Sequence, residues 1–188
     1  MVRVTQMSLL FVLFLASSAF GEADKPGSEA EFNAFIKEQI KVVPKPTDSR
    51  CPAGWVRHEQ RCFIYFPQAL DWASAEAQCL TRGANLVSIH NENEYQLVKA
   101  LIRAYDPKED PTWLGLNSCE KRDSWFWSDG TKANYAKWNK DEPNYVNGEC
   151  CVHLNYGGQK DWNDIPCSNV YPFVCSKETA FKLTEKHS

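Results

Sequence analysis

The stretch EPNYVNGECCVHLNYGGQKDWND, residues 142–164, brackets a cysteine pair with oxygen-bearing side chains at both ends. The candidate ligands are Glu142, Asn144, Glu149, Asn163 and Asp164. Carboxylate and amide oxygens, with no histidine or thiolate among them, suit a hard cation such as Ca²⁺. A polar surface turn is the alternative, because Asn, Gly, Pro and acidic residues are common in loops. The two groups of ligands taken together, each beside cysteines, favour the cation site.

The N-terminus has the layout of a secretory signal peptide. Arg3 precedes an apolar run, LLFVLFL at residues 9–15, and small residues follow up to Gly21. A basic residue, a short apolar run and a small-residue cleavage site in this order are typical of signal peptides. The run is too short to span a membrane, and no later stretch is long and apolar enough to do so. We therefore predict cleavage of residues 1–21 and a secreted, extracellular protein without membrane insertion.

The cysteines predict a domain stabilised by disulfides. There are eight, at positions 51, 62, 79, 119, 150, 151, 167 and 175. An even number in an oxidising compartment predicts four disulfides, although spacing alone cannot choose among the possible pairings. A zinc site is disfavoured because no Cys-x-x-Cys pair occurs and the four histidines are scattered. The adjacent Cys150 and Cys151 are expected to reach in opposite directions.

The composition argues against nucleic acid as a partner and predicts one compact domain. Removing Arg3 with the signal peptide leaves 20 basic and 24 acidic residues, whereas nucleic-acid-binding proteins usually carry a basic patch. About 165 residues remain, which is enough for one domain with its own core. Seven Trp, seven Tyr and ten Phe supply bulky apolar side chains, and most of them are expected to pack in that core.

The mature chain divides into a leader at residues 22–50, a compact domain at 51–177 and a C-terminal tail at 178–188. Within the leader, residues 29–43 have an amphipathic helical pattern. Its apolar face consists of Phe32, Ile36, Ile40 and Val43. An isolated helix this short is marginal in water, so we expect it to pack on the domain or to be disordered. Self-association through this face, giving a homo-oligomer, is the alternative.

The compact domain contains the patterns of both helices and strands. Asp71 is the expected N-cap of a helix that runs to about Thr81, and Asn91 opens a second helix that ends before Pro107. The expected strands span residues 51–56, 61–66, 86–89, 112–116, 125–127, 151–155 and 171–176. Two helices among short strands predict an α+β domain.

Several independent motifs in this domain resemble those of the C-type lectin-like domain family. They are, in chain order, Cys-Pro-Ala-Gly-Trp at 51–55, Trp-Leu-Gly-Leu at 113–116, Glu-Pro-Asn at 142–144, Trp-Asn-Asp at 162–164 and the closing cysteines. The resemblance covers residues 51–177. The cysteine doublet and the segment SWFWSDGT at 124–131 look most like secreted fish C-type lectins and fish type II antifreeze proteins. The resemblance implies two helices, small antiparallel sheets and long loops held by disulfides.

The resemblance also implies the disulfides and the ligands of a metal site. The implied disulfides are Cys51–Cys62, Cys79–Cys175 and Cys151–Cys167, which leaves Cys119 and Cys150 to pair with each other. The implied Ca²⁺ ligands, which would also contact the carbohydrate, are Glu142, Asn144, Glu149, Asn163 and Asp164. Ser118 and Tyr145 replace acids that build an auxiliary Ca²⁺ site in the family, so we expect one principal Ca²⁺ as the cofactor.

The Glu-Pro-Asn order implies a sugar preference. In the family this order accompanies mannose, fucose, glucose or N-acetylglucosamine, whereas Gln-Pro-Asp accompanies galactose. The resemblance therefore implies a lectin for mannose-, fucose- or N-acetylglucosamine-type glycans, acting in innate recognition of microbial or cell-surface glycans. The loop between Asn144 and Glu149 is shorter than in typical mannose-binding members, which leaves the exact sugar open.

Two alternative functions belong to other classes. An ice-binding antifreeze protein can use the same scaffold, but the short, mixed loop at residues 145–148 is not a flat Thr/Ala-rich surface. An enzyme would need a general base and a nucleophile or activated water near the metal. His153 lies within the site stretch, but no Ser/His/Asp or Cys/His arrangement can be assembled from the sequence. We therefore predict a binding protein and not an enzyme.

Overall fold

The computed structural model describes residues 50–180 of the 188-residue chain. The predicted signal peptide, the helical pattern at residues 29–43 and most of the C-terminal tail lie outside the described residues. Within residues 50–180, no helix is long and apolar enough to cross a membrane.

The centre of the domain is an eight-stranded sheet whose strands come from the whole described length of the chain. The strands are β1 Val56–His58, β2 Arg61–Leu70, β3 Asn85–Leu86, β4 Thr112–Asn117, β5 Phe126–Trp127, β6 Cys151–Tyr156, β7 Asp161–Ile165 and β8 Tyr171–Glu178. The main path runs β1-β2-β8-β4-β6-β7, with β3 beside β8 and β5 beside β4. Neighbouring strands are antiparallel except β4 and β8, which are parallel. The last strand therefore lies in the middle of the sheet.

Two helices connect parts of this sheet, and each begins at a side chain that caps it. They are α1, Trp72–Leu80, and α2, Glu92–Tyr105. The Asp71 carboxylate accepts a hydrogen bond from the Ser74 backbone N–H at 2.9 Å, and Asn91 Oδ1 accepts one from the Glu94 N–H at 2.9 Å. Each bond satisfies one of the four donors that a helix leaves unpaired at its start. Both predicted N-caps and the α+β class are confirmed.

The hydrophobic core lies between α2 and the sheet. The buried apolar side chains of α2 are Tyr95, Leu97, Val98, Leu101 and Ile102. They recur at the spacing of one helical face and pack against buried side chains of β2, β4, β6 and β8. Residues 139–150, by contrast, are all exposed or half-buried. The core therefore supports a long surface loop between β5 and β6.

Four disulfides connect these elements, and none of the eight cysteines is free. The pairs are Cys51–Cys62, Cys79–Cys175, Cys119–Cys150 and Cys151–Cys167, the same pairs that the resemblance implies. The bond between α1 and β8 closes a separation of 96 residues. The bonds of the cysteine doublet lie side by side, with Cys150 Sγ 3.4 Å from Cys167 Sγ. The two adjacent cysteines thus have different partners, but the prediction that they reach in opposite directions is wrong, because the four sulfur atoms lie within 4.8 Å of one another.

The strand predictions at residues 51–56 and 86–89 are wrong in extent, and one strand of the structure is missing from the prediction. The first strand begins at Val56, because residues 51–55 form turns next to the first disulfide. The strand expected at 86–89 ends at Leu86, because the chain then crosses between strands: the Val87 N–H donates to Val174 O, and Val87 O accepts from Gly115. β7 is not predicted at all, since its polar Trp-Asn-Asp centre lacks the apolar alternation of a strand.

Gly115 in β4 is expected to be intolerant of a side chain. A Cβ atom there would lie 2.6 Å from the Leu86 carbonyl oxygen and 2.8 Å from Ser128 Oγ. Because the closer contact is to backbone, we expect Gly115→Ala to lower the free energy of unfolding by about 1–3 kcal/mol. Gly158→Ala is the matched control, since nothing lies within 4 Å of its Cβ position. Equal stability of the two variants in urea unfolding would contradict this packing.

Candidate cation and ligand site

The sequence-predicted ligands come from one loop and one strand. The loop between β5 and β6 carries three of them, Glu142, Asn144 and Glu149. The other two, Asn163 and Asp164, are buried in β7, which pairs with β6. One side of the site is therefore a rigid strand and the other side is a surface loop, so the contacts between loop and strand decide how the five side chains are arranged.

The carboxylate of Asp164 fixes the loop to the strand. This residue is fully buried, and its two oxygens accept hydrogen bonds from successive backbone N–H groups of the loop. The donors are Asn144 at 2.9 Å and Tyr145 at 2.8 Å. The Glu142–Pro143 peptide bond just before them is cis. One side chain thus anchors the turn that carries two of the other candidate ligands.

Two further carboxylates have buried oxygens without a partner. Glu142 Oε2 and Glu149 Oε2 are inaccessible to solvent and have no hydrogen-bond partner among the described residues. Burial, together with a hydrogen bond to Asp164 and the charge of that residue, raises the pKa of Glu142 to about 7. Burial and the Asp164 charge also raise the pKa of Glu149. The three carboxylates thus have fewer hydrogen-bond donors around them than their oxygens can accept from. A divalent cation would stabilise these oxygens in place of the missing donors.

All five candidate ligands offer carboxylate or amide oxygens, a donor set that suits Ca²⁺ better than zinc. The three carboxylates do not all lie within 4.8 Å of one another; among His, Cys, Asp and Glu of residues 50–180, only four cysteines form such a group. Those four are Cys119, Cys150, Cys151 and Cys167. They form two disulfides and therefore offer no thiolate to a metal.

His153 in β6 orients the candidate ligand Asn163. Its Nδ1 lies 3.0 Å from the Leu154 carbonyl oxygen, and its Nε2 lies 3.0 Å from Asn163 Nδ2. Because a carbonyl oxygen only accepts, the ring proton belongs on Nδ1, and Nε2 then accepts from the amide. Burial lowers the pKa of His153, which favours the neutral ring. One amide N–H is thus engaged, and Asn163 Oδ1 stays available to a cation.

Four aromatic side chains connect the loop with β7. Tyr145 stacks on Trp125 with ring centroids 5.8 Å apart, and Trp125 contacts Trp138 at 4.8 Å. Trp138 in turn contacts the fully buried Trp162 at 5.8 Å. The Arg122 guanidinium carbon lies 4.4 Å from the centroid of the Tyr145 ring. We call Tyr145, Trp125, Trp138 and Trp162 the aromatic bridge.

Trp125, Trp138 and Arg122 are not among the residues that the sequence predicts for the site. Trp125 belongs to the segment 124–131, which supports the resemblance but does not indicate a contact with residue 145. Trp138 and Arg122 lie in loops, where the periodicity of the sequence does not predict which way a side chain points. The one indication in the sequence is that several tryptophans occur shortly before the Glu-Pro-Asn triplet.

Ser88, His90 and Asp129 form a second cluster, made of the residue types that form the catalytic triad of serine hydrolases. Ser88 Oγ donates to Asp129 Oδ2 and lies 3.2 Å from His90 Nε2. Ser88 is fully buried, however, and Asp129 binds the serine instead of the imidazole. A catalytic serine needs access to substrate and donates its proton to the histidine, whereas Ser88 is buried and donates to Asp129. The other ring nitrogen of His90 lies 3.4 Å from Asn134 Oδ1 and, among residues 50–180, does not contact a carboxylate. This cluster therefore lacks the geometry of a hydrolase.

Comparison with known proteins places the chain among carbohydrate-binding relatives. Residues 68–177 match a family model described as Lectin C-type domain. The chain is 45% identical over 133 residues to the lactose-binding lectin l-2 of Anguilla japonica, and the alignment covers 68% of this chain and 78% of the relative. It is 41% identical over 136 residues to the galactose-specific lectin nattectin of Thalassophryne nattereri, covering 72% and 85% respectively.

A solved structure from a second functional class is also similar. The type II antifreeze protein of herring has a TM-score of 0.64 and 39% sequence identity to this chain, covering 68% of this chain and 98% of its own. The scaffold alone therefore does not distinguish sugar binding from ice binding. That distinction depends on the residues of the site.

Proposed function

This chain belongs to the family of C-type lectin domains, and we propose that it is a secreted, calcium-dependent carbohydrate-binding protein. The proposed Ca²⁺ ligands are side-chain oxygens of Glu142, Asn144, Glu149, Asn163 and Asp164. The main support is that Glu142 and Glu149 each bury an unpartnered carboxylate oxygen near the fully buried Asp164. Such atoms are costly in free energy unless a cation or a donor binds them.

The same side chains offer matched partners to a pair of sugar hydroxyls. Bound Ca²⁺ supplies positive charge and open coordination positions for two neighbouring hydroxyl oxygens. The carboxylates of Glu142 and Glu149 accept hydrogen bonds from hydroxyl groups. Asn144 Oδ1 accepts from the Val146 N–H at 2.9 Å, which orients this amide and leaves its nitrogen to donate. Contacts that the sugar loses with water are thereby replaced.

We further propose mannose-, fucose- or N-acetylglucosamine-type glycans as the preferred ligands. The support is the Glu142-Pro143-Asn144 order, in which a carboxylate precedes the proline and an amide follows it. The positions of acceptor and donor determine which pair of hydroxyls fits. The relatives named for lactose and galactose make galactosides the competing ligand class for the same site.

Removal of calcium is expected to abolish retention on immobilised sugar. The oxidised protein is applied to mannose-agarose and to lactose-agarose, and calorimetry measures Ca²⁺ uptake. We expect one Ca²⁺ per chain, retention on mannose-agarose and complete elution by EDTA, because the ion holds the sugar. Retention on lactose alone would overturn the sugar class but not the calcium site. Absence of Ca²⁺ uptake, or retention unaffected by EDTA, would overturn the proposed function.

We propose that microbial or cell-surface glycans are the partners and that several copies act together. A site that contacts two hydroxyls of one sugar binds weakly, with a dissociation constant on the order of millimolar. Useful avidity then requires several sites presented to one surface. The leader at residues 22–50, following the proposed signal peptide at residues 1–21, is the proposed route to a homo-oligomer.

Ice binding is the second candidate function. The observation in its favour is the likeness to the herring antifreeze protein. Against it, the exposed stretch between Tyr145 and Glu149 consists of Val146, Asn147 and Gly148, which is too short and mixed to present a flat apolar surface. An ice-recrystallisation assay with and without EDTA distinguishes the candidates, since a lectin that does not bind ice leaves crystal growth unchanged.

A further inference from the structure

The aromatic bridge joins the two halves of the proposed ligand set. At one end, Tyr145 directly follows the ligand Asn144 in the loop. At the other end, Trp162 directly precedes the ligand Asn163 in β7. Two more tryptophans lie between these ends, so packing within the bridge sets the distance between loop and strand.

The half of the bridge next to β7 is held by backbone hydrogen bonds. The Trp162 N–H donates to Lys137 O at 2.9 Å, and the Asn139 N–H donates to Trp162 O at 2.8 Å. These bonds make a parallel β-bridge between Trp138 and Trp162. The Trp162 ring is fully buried and contacts Trp127 edge to face at 5.8 Å. This end of the bridge is therefore as rigid as the sheet.

The half of the bridge next to the loop is held by side chains. The Tyr145 ring stacks on Trp125 with an angle of 30° between the ring planes and also contacts the Arg122 guanidinium. The segment 122–125 thus contacts the Tyr145 ring through two of its residues.

We propose that Trp125 is a positioning residue for the cation site. Its ring contacts Tyr145 and Trp138, neither of which is a proposed ligand. By holding Tyr145, it keeps the turn at Asn144 docked on Asp164. Without the ring, ordering of the loop would have to accompany cation binding, and that loss of conformational freedom weakens binding. This inference rests on the proposed function, because it requires a Ca²⁺ site.

Calorimetric titration with Ca²⁺ tests the proposal on four full-length oxidised variants. Trp125→Ala is expected to weaken Ca²⁺ binding by about 10- to 100-fold, the range for groups that orient metal ligands. Trp125→Phe keeps a stacking ring and should recover most of the affinity. Tyr145→Ala should weaken binding like Trp125→Ala, and the double variant should lose little more, because both changes break one contact. At saturating Ca²⁺, Trp125→Ala should regain retention on sugar.

Trp55→Ala is the control for general loss of packing. Trp55 is a buried tryptophan, whereas Trp125 is half-buried, and Trp55 packs with a different core cluster and lies under Lys177. This variant should lower the thermal stability measured in EDTA without changing Ca²⁺ affinity. Unchanged affinity in Trp125→Ala, or equal weakening in Trp55→Ala, overturns the positioning role while the proposed function stands. If Trp125→Ala does not fold, Tyr145→Ala decides. Absence of Ca²⁺ uptake by the wild type overturns both.

Discussion

Asp164→Asn is expected to weaken calcium binding by at least about 100-fold, equivalent to about 2.7 kcal/mol. The change removes one negative charge from the centre of the ligand set. It also turns an amide N–H toward one of the two backbone donors, Asn144 or Tyr145, so that one of the two hydrogen bonds of the loop is lost. Calorimetry should detect the loss of Ca²⁺ uptake, and retention on mannose-agarose should disappear with it.

Protein stability in EDTA separates this effect from unfolding. A lost hydrogen bond to a buried donor destabilises by about 1–3 kcal/mol. Relief of the charge that acts on Glu142 and Glu149 opposes this loss, so we expect the lower end of the range. Asp141→Asn is the matched control, because Asp141 is exposed and its φ of 65° is one that asparagine tolerates. Wild-type calcium affinity in Asp164→Asn would show that the ligand set is wrong.

Removal of the disulfide between α1 and β8 is expected to have the largest effect on stability. On the chain-entropy relation, opening the 96-residue separation of Cys79 and Cys175 with a double alanine variant lowers the free energy of unfolding by about 5 kcal/mol. A domain of this size is stable by about 5–15 kcal/mol in total. The variant should therefore lose much of its stability in urea unfolding at 25 °C.

The short disulfide near the N-terminal end of the domain provides the comparison. Cys51 and Cys62 are separated by only 11 residues, for which the same relation gives about 3 kcal/mol. The double alanine variant at these positions should consequently remain the more stable of the two. The reverse order would mean that strain or residual structure, and not loop length, determines what these bonds contribute.

The local parts of this fold follow from the sequence, whereas the order of its strands does not. Asn91 and the apolar spacing after it are sufficient to predict α2, because capping and periodicity act within a few residues. The position of β8 between β2 and β4 depends on pairings far apart along the chain. β7 also escapes prediction, since its polar residues are buried by contacts with β6 and the site loop.

In the candidate site, too, the local features can be predicted from the sequence, whereas the long-range contacts cannot. Its five proposed ligands fall into two short segments, so the residue types and their spacing are enough to propose them. The function of Asp164 as an anchor for the loop, the tautomer of His153 and the packing of Trp125 on Tyr145 depend on three-dimensional contacts. None of these contacts leaves a periodic signal, and calcium binding itself stays a prediction.

The turn Val146–Gly148 spans a gap between two fixed points. Before it, the backbone at Asn144 and Tyr145 is bound by Asp164; after it, Cys150 is covalently tied to Cys119. These three residues are exposed and add nothing to the core. Asn147 and Gly148 have φ angles of 53° and 79°, which favour asparagine and glycine, so Val146 is the residue of this turn that a randomised display library can vary most freely. Such a library would change the loop beside the proposed cation site while keeping the contacts of Asp164 and Cys150.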